Sequence, residues 1–209
     1  MKDVAFFANT ADDTHCLQAA FRMMLKYFLP EQDFSWKELD KMSHKEPGKG
    51  TWWFPMLLEI EKIGLRTKYI EKFDYKCFLE EGNSYVIEFY GSEAGSWYLQ
   101  KSNLLDVKPL IGDFLANSQG QQRVAGLKDL DELLATGWLV GIDLNAKVLN
   151  GQPGFSSHMV LVFGKKSQNY VLHDPGLPPR PSRIVTADLL RQAWSYSGPE
   201  SMALFAVKR

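Results

Sequence analysis

The stretch Ser157-His158-Met159-Val160-Leu161-Val162-Phe163-Gly164-Lys165-Lys166-Ser167-Gln168-Asn169-Tyr170-Val171-Leu172-His173-Asp174-Pro175 decides the fold: two apolar runs joined by a polar linker. Met159–Phe163 is apolar at every position, so both alternating faces are covered and the strand belongs at the centre of a sheet. Gly164–Asn169 has the composition of a hairpin turn, which predicts that His158–Phe163 and Tyr170–Asp174 pair antiparallel. A turn centred on Lys166 sets His158 directly opposite Asp174. Opposed residues of an antiparallel pair point to one face, close enough to hydrogen-bond. A one-residue slip would separate them. Alternation sends His173 to the other face.

Working outward, the downstream residues read as a helix over Ala187–Trp194, with Thr186 as N-cap, and a closing strand over Met202–Val207. Immediately upstream come a helix over Asp129–Ala135 closed by Gly137, an apolar strand over Trp138–Leu144, and a Gly/Pro/Ser loop over 145–157. Asn117–Gly126 reads as a surface loop. Tyr85–Tyr90 has the composition of a strand, and Trp97–Gln100 is expected to pair with it across a Gly91–Gly95 turn. Phe73–Glu80 reads as a short helix stopped near Gly82, and Arg66–Ile70 as a strand. Helices are predicted after Gly50, with Thr51 as N-cap and Gly64 as terminator, and over Trp36–Met42. The most strongly patterned helix is Cys16–Phe28: Leu17, Ala20, Phe21, Met24 and Phe28 share one face. Asp12, Asp13 and Thr14 offer caps for it, and Pro30 ends it. Helices thus dominate the first half and antiparallel strands the second. That segregation predicts an α+β fold, with residues 1–209 forming a single domain.

Composition narrows the function. Hydrophobic residues make up 45% of the chain, charged residues 23%, and the net charge is −1. That balance offers no pull toward a polyanion, so neither nucleic acid nor a membrane surface is an expected partner. No run approaches the roughly 18 apolar residues that span a bilayer. The opening residues turn polar too quickly for a signal peptide, so a cytoplasmic location is expected. Two cysteines, Cys16 and Cys77, are too few for a disulfide framework, although they would suffice for one bridge.

The chemistry centres on Cys16. At the first turn of a buried helix, unsatisfied amides and the helix dipole favour a thiolate, the nucleophilic form of cysteine. The same amides can donate to an oxyanion forming beside the sulfur. Position alone leaves open the alternative that Cys16 is a small core residue. A base is supplied by the hairpin, because a carboxylate at Asp174 would fix the tautomer of His158 and stabilise its imidazolium. His44 lies in a charged loop, and Cys77 reads as an inert thiol within a helix. His15 beside Cys16 raises a metal site, but no Cys-x-x-Cys or His-Glu-x-x-His accompanies it, and no metal or cofactor is expected.

This order of features resembles the bacteriocin-processing double-glycine peptidases and their stand-alone relatives. The likeness is carried by His15-Cys16-Leu17-Gln18-Ala19-Ala20 and by the run from Leu127 to Pro175, with Ser157–Gly164 and Val171–Pro175 its most specific parts. The resemblance implies a papain-like fold, in which a helical N-terminal half carries the nucleophile helix packed on a C-terminal antiparallel sheet. It also implies a catalytic triad carried onto Cys16, His158 and Asp174. Where the family usually has Gly after the nucleophile this chain has Leu17. Where it has Gln six residues before, this chain has Thr10, with Asn9 alongside. Asn9 or Thr10, together with the Cys16 amide, is then expected to form the oxyanion site, Asn9 having the closer chemistry. The expected activity is hydrolysis of a peptide or other amide bond, with a peptide or protein as substrate. Acyl transfer by the same triad, or a catalytically silent peptide- or protein-binding module, are the alternatives. Trp52-Trp53-Phe54 and Gly151–Ser157 are candidates to line the cleft, although adjacent aromatics are also common core residues.

Overall fold

A computed structural model describes residues 2–209. Helices α1 (Cys16–Phe28), α2 (Trp36–Met42) and α3 (Phe54–Lys62) precede strand β1 (Arg66–Ile70). Helices α4 (Tyr75–Glu81), α5 (Asn83–Lys101), α6 (Leu104–Val107) and α7 (Ile111–Asn117) follow, then the short strand β2 (Gly120–Gln121) and α8 (Leu127–Ala135). The second half contains β3 (Leu139–Asn145), α9 (Ala146–Leu149), β4 (Ser157–Lys166), β5 (Asn169–Asp174), β6 (Arg180–Val185), α10 (Ala187–Trp194) and β7 (Leu204–Lys208). Among the described residues the strands form one seven-stranded sheet in the order β2-β1-β7-β3-β4-β5-β6. All neighbours are antiparallel except β1 and β2. The segregation of helices and strands expected for an α+β fold is present.

Alternation along the central strands sends their side chains into two cores. Met159, Leu161 and Phe163 of β4 and Phe205 of β7 meet Phe21 and Met24 of α1 and the aromatic residues Trp53 and Phe54. Val160 and Val162 of β4, with Val140 and Ile142 of β3, meet Leu130 of α8 and Leu190 and Trp194 of α10. Coverage on both faces is the reason β4 reads as a continuous apolar run over Met159–Phe163 and β3 as a nearly continuous one. Phe21 and Phe205 stack with ring centroids 4.7 Å apart, and the ring of Phe205 lies over Gly141. A Cβ at Gly141 would fall 2.2 Å from that ring, so only glycine lets β3 approach there.

Several expected elements differ. Tyr85–Tyr90 and Trp97–Gln100 are not a hairpin but parts of α5, kinked at Gly91, whose φ of 77° is open to glycine. Val86, Tyr90, Ala94 and Tyr98 are buried at four-residue spacing, and this tertiary burial overrides the strand preference of the aromatic and β-branched residues. Thr51 does not cap α3, which begins three residues later. Pro55 then occupies the first turn, where its missing N–H costs nothing, and Thr51 instead accepts from the Gln18 amide at 3.0 Å. Strand β6 has no apolar pattern because it is the sheet's exposed edge.

The β4–β5 register also differs from a turn centred on Lys166. Lys166 pairs with Asn169 and Gly164 with Val171, so Ser167 and Gln168 form the turn. That register alone would place Asp174 opposite Leu161, on the face His158 does not share. A bulge at Phe163 then shifts the pairing by one residue, to Val162 with Leu172 and Leu161 with His173. Extended toward the strand ends, this register sets Asp174 opposite Val160, which shares a face with His158. The shared face is regained through the bulge, not through direct opposition.

Candidate active site

Cys16 opens α1, and the start of that helix abuts the start of β4, where the Met159 amide donates to Cys16 Sγ at 3.5 Å. The first intrahelical bond runs from the Ala19 amide to the His15 carbonyl, leaving the amides of Cys16 and Leu17 without helical acceptors. Both residues border a cavity of about 320 Å³ that also contains His158 and Asp174. None of the candidate caps is used, because the N-cap is His15, without a side-chain bond.

His158 is buried at the start of β4, and its Nε2 lies 2.8 Å from Asp174 Oδ1. With Nε2 taken, Nδ1 is the ring nitrogen left for the Cys16 thiol. Burial would lower the imidazole pKa, but the hydrogen bonds and charges of Asp174 and Cys16 outweigh it and raise it to about 10. Burial would raise Asp174, yet His158, Arg183 and the Gly176 amide hold its carboxyl down at about 2. Arg183 Nη1 donates to Asp174 Oδ2 at 2.7 Å, and Nη2 donates to the Leu149 carbonyl at 2.6 Å. The guanidinium therefore ties the carboxylate to α9. His173 faces away, accepting from the Ser182 amide at 3.1 Å and bonding the Val4 carbonyl at 2.9 Å.

Asn9 and Thr10 do not reach the cavity. The Asn9 amide nitrogen donates to Asp13 at 2.8 Å, and its oxygen accepts from the amides of Thr10 and His15 at 2.9 and 2.7 Å. The Asn9 main-chain amide donates to the Pro175 carbonyl at 2.8 Å, tying the loop before the nucleophile to the residue after Asp174. Thr10 donates to Asp12 and lies 2.7 Å from His15 Nδ1. This geometry gives their expected role as oxyanion donors no support. The tight 9–14 loop needs these groups for its own amides, so Asn9 is a brace, and the donors bordering the cavity are the free amides of α1.

Sequence reasoning missed Arg183 and Asp143. Arg183 sits on the unpatterned edge strand β6. Asp143 interrupts the apolar strand β3, and a lone carboxylate there was the available signal. Its Oδ1 accepts from Ser157 Oγ at 2.8 Å and from the His158 amide at 3.1 Å. Its Oδ2 accepts from Tyr98 at 2.5 Å and from Tyr196 at 3.5 Å. Burial raises the Asp143 pKa. Trp52, Trp53 and Ser157 line the cavity while Phe54 is core, so the aromatic cluster and the 151–157 loop each contribute in part. Cys77 is half-buried in the first turn of α4, and both thiols are free. Among the described residues no three His, Cys, Asp or Glu side chains converge as metal ligands.

No family model matches the chain, and no curated protein does. Among solved structures it is similar to a Bacillus anthracis protein provisionally described as a C39-like peptidase, with a TM-score of 0.56 and 16% identity. The match covers 99% of this chain and 96% of that one. At that identity the likeness is one of fold. The chain has the α+β, papain-like fold of a C39-like peptidase.

Proposed function

We propose that this chain is a cysteine peptidase-like hydrolase that opens a peptide or other amide bond through Cys16, His158 and Asp174. One observation carries the reading: the start of α1, the start of β4 and the end of β5 bring a thiol, an imidazole and a carboxylate to one cavity. Cys16 Sγ attacks the carbonyl carbon, and the oxyanion forms beside the free amides of Cys16 and Leu17. The C–N bond breaks as His158 gives its proton to the leaving amine. Water then attacks the thioester, giving its proton to His158, and the C–S bond breaks to release the acid and the thiolate. Asp174 holds the ring throughout. Two free thiols suit a reducing compartment, in keeping with a cytoplasmic location.

With Asn9 and Thr10 engaged in their own loop, the second reading is a module that binds a peptide without turning it over. An untargeted peptide library, followed by mass spectrometry with and without an added amine, separates the two. Hydrolysis predicts new carboxyl termini, lost by at least about 10⁴-fold in Cys16→Ala. Amine-capped products would mean acyl transfer. Equal products from Cys16→Ala would refute the triad, and retention of peptides without products would favour the binding module.

A further inference from the structure

The same cavity is also lined by Glu71, Tyr90, Tyr98, Tyr196 and Trp52, none of which the hydrolytic steps use. Glu71 is 3% exposed and Tyr90 6%, so both belong to the interior. Tyr75 donates to Glu71 Oε2 at 2.8 Å, and Trp52 Nε1 donates to Tyr75 at 3.1 Å. Among the described residues Glu71 Oε1 and the Tyr90 hydroxyl have no side-chain partner, although both residues line the cavity. Aromatic rings pack against Tyr90: those of Trp52 and Tyr98 lie 6.3 and 4.7 Å from its ring, centroid to centroid. Asp143 connects this wall to β4, bonding Tyr98 on one side and Ser157 and the His158 amide on the other.

We propose that this wall is a specificity pocket for a substrate side chain ending in a primary ammonium, held by Glu71 Oε1, the Tyr90 hydroxyl and the faces of Trp52 and Tyr98. The inference rests on the hydrolase reading for its connection to catalysis, but the recognition chemistry is separate. A buried carboxylate oxygen and a phenol oxygen accept two of the three ammonium protons, and an aromatic face suits the remaining charge. A guanidinium is broader, and its bidentate fork would have to share Oε2 with the Tyr75 hydroxyl. An aliphatic tip would leave both groups desolvated and unpaired. Burial raises the Glu71 carboxyl to about 8, and an adjacent ammonium favours its ionised form.

Binding tests the pocket without requiring turnover. N-acetyl-lysine N-methylamide and its norleucine and arginine counterparts are titrated into the full chain by protein-observed NMR. The lysine derivative should bind at least tenfold more tightly than either counterpart. That preference should vanish in Glu71→Gln and weaken in Tyr90→Phe, each checked for an unchanged folded spectrum. Tyr90→Phe keeps the test informative if Glu71→Gln does not fold. Equal affinities, no measurable binding of the lysine derivative, tighter binding of the arginine derivative, or a preference that survives both variants would overturn the proposal. None of these results depends on Cys16, so the pocket and the hydrolase reading fail separately.

Discussion

Asp174 is held from three directions: His158 and the Gly176 amide meet Oδ1, and Arg183 meets Oδ2. In the proposed triad Arg183 is a positioning residue, since it bonds Asp174 and the Leu149 carbonyl but neither Cys16 nor His158. Asp174 is depressed to about 2, so its contribution to stability is present above the ordinary carboxylate value and is lost as pH falls through about 2. His158 is raised to about 10, so its contribution is complete below the ordinary imidazole value and is lost as pH rises through about 10. Arg183→Met should lower turnover by about tenfold, the scale for residues that hold a functional side chain from its outer side. It should also move the acid limb of the activity profile to higher pH, because the carboxylate loses a cationic partner. A purely structural role would reduce the amplitude and leave the limb in place. The His158–Asp174 pair was legible from alternation, but only because two departures cancel. The turn forms later than the composition suggested, and the bulge at Phe163 reverses the resulting change of face.

Among elements, those set by local signals were legible and those set by tertiary contact were not. Cys16–Phe28 and Ala187–Trp194 have clear apolar stripes and sharp ends, and their observed bounds agree with the sequence reading. Helix α5 was hidden by strand-forming residues and two glycines, although its four-residue burial spacing was there to read. Strand β6 shows only Ile184 and Val185 as an apolar signal, and Ile184 is exposed. The glycine inside β3 is a sign of some close approach, but Phe205 as the partner is not legible in a single sequence. Gly141→Ala should destabilise the chain by about 1–3 kcal/mol, since the added methyl displaces Phe205 from a filled core. Denaturant midpoints at an unchanged slope would measure that loss. A neutral substitution would show that the ring moves aside freely.

At the scale of the molecule, the sheet carries a helical layer on each face, and the site forms where α1 meets the ends of β4 and β5. Among the described residues no helix is long and apolar enough to cross a membrane. The layout of the fold was legible because helices and strands separate along the chain. The placement of Asn9 and Thr10 was not, because a one-dimensional spacing cannot show that their side chains turn into their own loop. The two thiols provide the most direct test of the whole arrangement. Burial and the adjacent Asp74 push the Cys77 thiol up, which suppresses its nucleophilic form. Limiting iodoacetamide at neutral pH, followed by peptide mapping, compares the thiols within one molecule. Cys16 should be labelled more than tenfold faster than Cys77, with that advantage largely lost in His158→Ala and retained in His173→Ala. Faster labelling of Cys77, or a Cys16 rate that depends on His173 more than on His158, would contradict the proposed triad.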